Sequence, residues 1–332
     1  MTEKKPLVQV ENLQVHFPVK DNAASTLFGS KRVLKAVDGV SFTIHRGEIL
    51  SLVGESGSGK TTTGKAILHL APVSGGQVLY DGQPVGDTFK ELQTFRRKAQ
   101  MIYQDPYQAL NPRMYISDIV GEALDVNGLA QNAEERASRI AKALSNAGLT
   151  PPEDYLYRYP YSLSGGQRQR VAIAGALVME PEFVVADEPV SMLDASIRTG
   201  IIKLMLEQRE KLGLAYLFIT HDLSLSWLIS DRIAIMYLGR IMEIGTADEI
   251  LRHGVHPYTK ALINIMPVPG KTRTERRALL EGETPNAAAV VEGCKFASRC
   301  PYCTDRCRHE APALREVAPD HLAACHLMEG NA

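Results

Sequence analysis

The chain of 332 residues lacks several features that would place it in other classes of protein. No apolar run approaches the roughly 20 residues that a membrane-spanning helix needs. Residues 1–10 contain no long apolar stretch of the kind that a secretory signal requires. The formal net charge is only −1, so the composition indicates neither a nucleic-acid-binding nor an anionic-membrane surface. Internal repeats and low-complexity tracts are also missing. These absences favour a cytosolic globular protein that would act at a membrane only through a partner.

The most informative motif is a glycine-rich loop near the start of the chain. Residues 54–61 read GESGSGKT and fit the P-loop pattern GxxxxGK[ST]. The loop follows the apolar run 49–53 and precedes a predicted helix over residues 62–70, a context that disfavours an incidental glycine turn. We expect its amides to surround a β-phosphate, Lys60 to neutralise the β and γ oxygens, and Thr61 to ligate Mg²⁺.

A second glycine-rich segment, residues 163–167 with the sequence LSGGQ, also runs into a predicted helix. Bare backbone N–H groups and a helix N-terminus favour an anion at such a position. One nucleotide requires only one P-loop. The second segment therefore suggests a triphosphate that is gripped from two sides, by two copies or relatives of this fold.

Three apolar runs, 49–53, 183–186 and 215–219, predict buried parallel strands. Polar residues follow each of them, as is typical at the carboxyl ends of strands in α/β sheets. We expect Asp187 to hold Mg²⁺ through water and Glu188 to polarise the attacking water, although a solvated acidic turn is the alternative. His221, after the third run, is expected to contact a γ-phosphate.

Residues 7–17 and 37–44 alternate apolar and polar positions and predict an antiparallel layer with one buried face. From residue 105 to 161 the pattern becomes helical and predicts an inserted subdomain. Gln104, at the junction, is either a sensor of Mg²⁺ or water or an ordinary turn residue, and spacing alone favours neither. Phe17 either packs in the core or stacks on an adenine ring.

All five cysteines lie at or beyond Cys294, which sets the C-terminal segment apart. Structural disulfides are not expected in a cytosolic chain. Thiolates suit iron–sulfur or zinc, and the spacing does not separate these two.

In order along the chain, residues 54–61, 104, 163–167, 183–188, 191–194 and 221 resemble the Walker A, Q-loop, signature, Walker B, D-loop and H-loop motifs of ABC transporter ATPase subunits. The resemblance implies an α/β P-loop NTPase of the ABC type, with a RecA-like core, an antiparallel β subdomain and a helical insert over about residues 105–161. It implies a cassette over residues 7–252 and a small Cys-rich C-terminal extension over 253–332.

The same resemblance implies roles for individual residues. Glu188, His221 and Gln104 would be catalytic, and Thr61, Gln104 and Asp187 would hold Mg²⁺. The implied ATP-binding residues are Phe17, Gly54, Glu55, Ser56, Gly57, Ser58, Gly59, Lys60, Thr61, Thr62, Ser164, Gly165, Gly166, Gln167 and Asp194. Two residues depart from the family pattern: Gly175 stands where arginine is common, and Met192 replaces the usual alanine of the D-loop.

The segment from His256-Pro257-Tyr258-Thr259 onward is similar to the C-terminal extension of dipeptide/oligopeptide/nickel importer ATPases. This implies a [4Fe–4S] cluster, or zinc, on Cys294, Cys300, Cys307 and Cys325, with Cys303 in excess. We expect the cluster to have a structural role, because the segment lies outside every ATP motif.

The implied function is ATP hydrolysis that powers uptake of dipeptides or oligopeptides, at the cytoplasmic face of the inner membrane. Nickel, glutathione or opine import, or a soluble ABC ATPase without a transport role, are the alternatives. The implied partners are a second ATPase subunit, identical or paralogous, two membrane permeases and an extracytoplasmic peptide-binding protein, without nucleic acid.

Overall fold

A computed structural model describes residues 5–19, 33–266 and 292–328 of the chain. The strands are β1 (Pro6–Pro18), β2 (Val33–His45), β3 (Ile49–Val53), β4 (Gly75–Tyr80), β5 (Gln83–Pro84), β6 (Ala99–Ile102), β7 (Phe183–Asp187), β8 (Ala215–Thr220), β9 (Arg232–Tyr237), β10 (Arg240–Thr246), β11 (Arg315–Ala318) and β12 (His321–Ala323). The α-helices are α1 (Lys60–Ile67), α2 (Phe89–Lys98), α3 (Pro106–Ala109), α4 (Ile116–Asn127), α5 (Ala133–Asn146), α6 (Glu153–Leu156), α7 (Gly165–Leu177), α8 (Ala195–Leu212), α9 (Leu223–Ile229), α10 (Ala247–His253), α11 (Pro257–Ile265) and α12 (Asp305–His309).

The described residues fall into two compact units. The P-loop unit comprises residues 8–19, 33–43, 49–84, 219–266 and 292–328, and the helical unit comprises residues 5–7, 44–48 and 85–218.

The P-loop unit contains two sets of strands. The first has the order β2-β1-β4-β5, and β1 and β4 run antiparallel with Val8 opposite Tyr80. The second has the order β11-β12-β10-β9-β3. Here β3 and β9 are parallel, with Leu50 opposite Arg232. All five residues of β3 are buried, so the strand presents no solvated face, as its continuous apolar run predicts.

The helical unit places α-helices around β6 and β7, which are parallel with Ile102 opposite Ala186. Helix α7 packs against α4 and α5. The predicted insert over 105–161 therefore consists of helices α3 to α6 and a 3₁₀ turn, Pro160–Ser162. Burial of the first four residues of β7 again follows from their apolar side chains, and Asp187 at its end is buried as well.

The predicted ABC-type α/β fold is confirmed, with one shift in local structure: α1 begins at Lys60, two residues before the predicted start. The C-terminal segment is less separate than its cysteines suggested. Its strand β12 pairs with β10, with Glu243 opposite Ala323, and Phe296 belongs to the core cluster of the P-loop unit. The division at residues 252 and 253 remains a prediction.

Candidate active site

The P-loop joins β3 to α1, and its backbone conformation depends on glycine. Gly57 has a φ of 77° and Gly59 a φ of 101°, in the left-handed region that favours glycine. A Cβ on Gly59 would lie 2.2 Å from the carbonyl oxygen of Ala36, and one on Gly54 would lie 2.1 Å from that of Met236. Packing against these backbone groups thus fixes the shape of the loop, which leads directly into a helix N-terminus that favours an anion.

Lys60 is buried, and its ammonium group lies against the loop itself. Its Nζ donates hydrogen bonds of 2.8 Å to the carbonyl oxygens of both Gly54 and Glu55, and a longer one of 3.4 Å to Ser58 Oγ. Phosphate oxygens are stronger, charged acceptors than these carbonyls. The loop therefore holds the cation where an anionic ligand could recruit it.

A backbone hydrogen bond also fastens the P-loop to the turn between β9 and β10. Ser58 is buried, and its carbonyl oxygen accepts the N–H of Gly239, in the turn between β9 and β10, at 2.9 Å. Ser56 is exposed, whereas Thr61 and Thr62 are half-buried on the first turn of α1.

Two further predicted residues belong to the P-loop unit. Phe17, near the end of β1, is half-buried. His221 is exposed and directly follows β8. The next residue, Asp222, caps α9 by accepting the N–H of Leu225 at 3.0 Å, which fixes the backbone beside His221.

In the helical unit, Gln104 and Glu188 are in direct contact. Gln104 follows β6 and Glu188 follows β7, so the parallel pairing of these strands brings both side chains to one edge. Gln104 Nε2 donates a hydrogen bond of 3.1 Å to Glu188 Oε2. Asp187, the last residue of β7, directly precedes Glu188 and is buried. Sequence spacing left the role of Gln104 open, and the structure places its amide on the predicted base.

Glu188 adopts a backbone conformation that is unusual for its residue type. Its φ is 44°, in the left-handed region, where a non-glycine residue carries strain. Ser191 holds this turn, because its N–H and its Oγ both donate to the carbonyl oxygen of Glu188, at 3.2 and 3.0 Å. Such strain is typical of residues that are held for a function.

The signature segment forms the N-terminus of α7 through a capping box. Ser164 Oγ accepts the N–H of Gln167 at 3.3 Å, and Gln167 Oε1 accepts the N–H of Ser164 at 2.9 Å. A Cβ on Gly166 would lie 2.6 Å from Ile197 Cγ2 of α8, whereas one on Gly165 would meet only ordinary contacts. Gly166 is thus required by packing within the helical unit.

A contact that sequence reasoning did not foresee links the Q-loop region to the signature helix. Asp105 caps α3 by accepting the N–H of Tyr107 at 2.8 Å. The guanidinium of Arg168, on α7, lies 4.2 Å from the ring centroid of Tyr107, within the range of a cation–π interaction. Residues 104–107 therefore connect Glu188 with the first turns of α7.

The D-loop and the departure at Gly175 have simple structural consequences. Asp194 is the N-cap residue of α8, and Met192 is 57% exposed. Gly175 lies inside α7, and among the described residues no atom outside its own helix turn comes within 4 Å of where its Cβ would stand. The Cβ of an alanine at this position would therefore fit.

The cysteines are all free thiols. The pKa of Cys294 is raised to about 11, mainly by burial and to a smaller extent by the neighbouring Cys307, Cys325 and Cys300. Nevertheless, across the described ranges no group of three or more His, Cys, Asp or Glu side chains is arranged to hold a metal ion. The predicted iron–sulfur site is therefore not supported by the geometry.

The cysteine segment lies outside the ATP motifs in the sequence, but it contacts one of them in the structure. Arg299, between Cys294 and Cys300, donates from Nη1 to Glu55 Oε2 of the P-loop at 2.8 Å. Tyr258 Oη accepts the N–H of Glu55 at 3.1 Å. The HPYT motif marked Tyr258, but no sequence signal pointed to Arg299.

Three features together define an ABC-type nucleotide-binding protein. They are a P-loop that leads into a helix, a glutamate after a strand that is hydrogen-bonded to the Q-loop glutamine, and the LSGGQ segment at a helix N-terminus. Comparison with known proteins agrees. The family model described as "ABC transporter" matches residues 37–191, and "Oligopeptide/dipeptide transporter, C-terminal region" matches residues 242–307.

Curated relatives match over almost the full chain. A peptide import ATP-binding protein of Brucella ovis is 44% identical over 326 residues, 98% of each chain. The oligopeptide transport ATP-binding protein OppF of Bacillus subtilis is 42% identical over 100% of this chain and 99% of its own. The solved ATP-binding cassette MJ0796, a dimer bound to ADP and Pi, is 28% identical with a TM-score of 0.63, over 72% of this chain and 98% of that one.

The chain therefore belongs to the family of ABC transporter ATPase subunits, in the branch that carries the oligopeptide/dipeptide transporter C-terminal region. Within residues 5–19, 33–266 and 292–328, no helix is both long and apolar enough to cross a membrane.

Proposed function

We propose that this protein is the ATP-hydrolysing subunit of an importer for dipeptides or oligopeptides. The single observation that carries the chemical part is the hydrogen bond from Gln104 Nε2 to Glu188 Oε2, at the edge where β6 and β7 end. The transport part rests on the printed names of relatives that match over nearly the full chain.

One set of the proposed site residues would bind the phosphates, and another set would activate the attacking water. The amides of residues 57–61 and the Lys60 ammonium would bind the phosphates, while Phe17 would stack on the base. Mg²⁺, held by Thr61, Gln104 and Asp187, would neutralise charge on the phosphate oxygens. Glu188 would orient the attacking water as a base, with Gln104 fixing its carboxylate, and His221 would contact the γ-phosphate.

ATP binding by a pair of subunits explains the second glycine-rich segment. Ser164, Gly165, Gly166, Gln167 and Asp194 would act on the nucleotide of a second ATPase subunit, identical or paralogous. The exposed, preformed capping box at the start of α7 supports this proposal, because its remaining helix amides can bind an anion supplied from outside the unit.

A surface of the helical unit suits the membrane permeases. The tyrosine cluster comprises Tyr115, Tyr157, Tyr159 and Tyr161, whose neighbouring rings lie 4.5 to 6.2 Å apart. Tyr157 and Tyr161 are 76% and 68% exposed. Exposed aromatic groups of this kind mark protein–protein contacts. The protein would thus sit at the cytoplasmic face of the membrane, below two permeases that receive peptide from an extracytoplasmic binding protein.

An iron–sulfur cluster on Cys294, Cys300, Cys307 and Cys325 is part of the same proposal. The four thiols supply the soft donors that such a cluster requires, and the proposal rests on this donor chemistry and not on a metal site formed by the described residues. No step of ATP hydrolysis is assigned to it.

The function is tested with Glu188→Gln in the complex assembled with its permeases. We expect ATP binding to be retained and turnover to fall by a factor of about 10² to 10⁴, the usual contribution of a general base. Glu180→Gln is the matched control, because the Glu180 carboxylate forms an exposed ion pair with Lys142. Near wild-type turnover by Glu188→Gln would exclude the proposed base.

A further inference from the structure

Three hydrogen bonds fix the backbone and side chain of Glu55, and two of the three partner residues lie outside the ABC motifs. Its carbonyl oxygen accepts from Lys60 Nζ at 2.8 Å, its N–H donates to Tyr258 Oη at 3.1 Å, and its carboxylate accepts from Arg299 Nη1 at 2.8 Å. The position of Glu55 is therefore coupled to that of the phosphate-binding lysine.

Arg299 itself is rigidly placed. It ends a 3₁₀ turn, Ala297–Arg299, that starts directly after Phe296, and Phe296 is only 1% exposed. The Phe296 ring packs 5.3 Å from the rings of both Tyr237 and Tyr258. The same aromatic group thus anchors both residues that bind Glu55.

The ion pair between Arg299 and Glu55 is shielded from water. The side chain of Arg299 is 7% exposed and that of Glu55 is 24% exposed. Arg299 Nη1 also lies 3.3 Å from Tyr237 Oη, which gives the guanidinium a second fixed partner. A charge-assisted hydrogen bond in such a setting is stronger and more directional than an exposed one.

We propose that Arg299 is a positioning residue of the P-loop, which acts through Glu55 and, together with Tyr258, sets the affinity for ATP. The inference rests on the proposed function, since it assumes that the P-loop binds ATP. It gives the cysteine segment a role in nucleotide binding: the segment carries the arginine that keeps Glu55, and with it Lys60, in the binding conformation.

The test measures binding of a fluorescent ATP analogue to the full chain and, in the assembled complex, KM and kcat. For Arg299→Met we expect about tenfold weaker binding, equivalent to about 1.4 kcal/mol, with a matching rise in KM and kcat near the wild-type value. Arg299→Lys should retain part of the affinity. Arg306→Met is the matched control, because Arg306 lies in the same segment but pairs with Glu310 on the exposed surface.

A double-mutant cycle shows whether Arg299 acts through Glu55. If it does, Glu55→Gln should weaken binding much less in the Arg299→Met background than in the wild type. Losses that simply add, or wild-type affinity in folded Arg299→Met, would overturn the inference. If Arg299→Met does not fold, the same cycle is run with Arg299→Lys, and additive losses there count equally against it. Failure of the wild-type protein itself to bind ATP would instead refute the proposed function.

Discussion

His256 should make the protein less stable in mild acid, for a reason visible in its hydrogen bond. The residue is 1% exposed, and its Nδ1 accepts the N–H of Tyr258 at 3.0 Å, capping α11. Only a neutral imidazole leaves Nδ1 able to accept. Burial lowers the pKa of His256 from its ordinary 6.5 to about 4, although the nearby Glu243 carboxylate opposes this change.

The sign and size of the effect follow from linkage. Between pH 6.5 and pH 4 the unfolded chain binds a proton at this histidine and the folded chain does not, so the free energy of unfolding decreases as the pH falls. The full shift of 2.5 pKa units corresponds to about 3.4 kcal/mol. Between about pH 7.5 and about pH 5.5 the loss is about 1.3 kcal/mol.

The assay is urea unfolding at both pH values for the wild type and for His256→Asn. Asparagine can still cap the helix but does not titrate. We therefore expect the wild type to lose about 1.3 kcal/mol more than the variant on acidification. His253→Asn is the matched control, because it makes the same substitution at an exposed position on α10. Equal losses for wild type and His256→Asn would refute the neutral cap.

Two further pairs of substitutions test other parts of the structure. Gly175→Ala should raise the free energy of unfolding by about 0.5 to 1 kcal/mol, because alanine has the higher helix propensity and the space around its Cβ is open. Gly166→Ala should lower the free energy of unfolding by about 1 to 3 kcal/mol, because its Cβ would clash with Ile197. Urea unfolding of both variants measures these changes, and destabilisation by Gly175→Ala would contradict the reasoning. In protein purified without oxygen, Cys303→Ser should keep iron and sulfide while Cys307→Ser should lose them, and metal-free, folded wild type would exclude the cluster.

The local features of the fold could be read from the sequence with good accuracy. The buried strand over residues 49–53 matches β3 at both ends, because a continuous apolar run bounded by a glycine-rich loop has few other interpretations. The start of α1 was placed two residues late, since the P-loop lysine reads as part of the loop while its backbone is already helical. Such shifts at helix ends are small and common.

The contacts of the candidate site were harder to foresee, because they join residues that are far apart in the chain. Gln104 and Glu188 are 84 residues apart, and only the parallel pairing of β6 and β7 brings them together. Arg299 and Glu55 are 244 residues apart, and an arginine between two cysteines carries no local signal of its target. The sequence pattern identifies the loop, and only tertiary packing identifies what holds it.

The P-loop of this protein is therefore better understood as a packed element than as a self-sufficient motif. Gly54 and Gly59 lie against the backbone of Met236 and Ala36, and the carbonyl oxygen of Ser58 is bonded to the turn between β9 and β10. Two of the three contacts that fix Glu55 come from residues beyond 252. A chain cut after the ABC motifs would keep every residue of the nucleotide signature but lose Tyr258 and Arg299, and with them the aromatic anchor of Phe296 on Tyr237. We therefore expect that a fragment in which Glu55 keeps all three of these contacts includes the cysteine segment at least as far as Arg299.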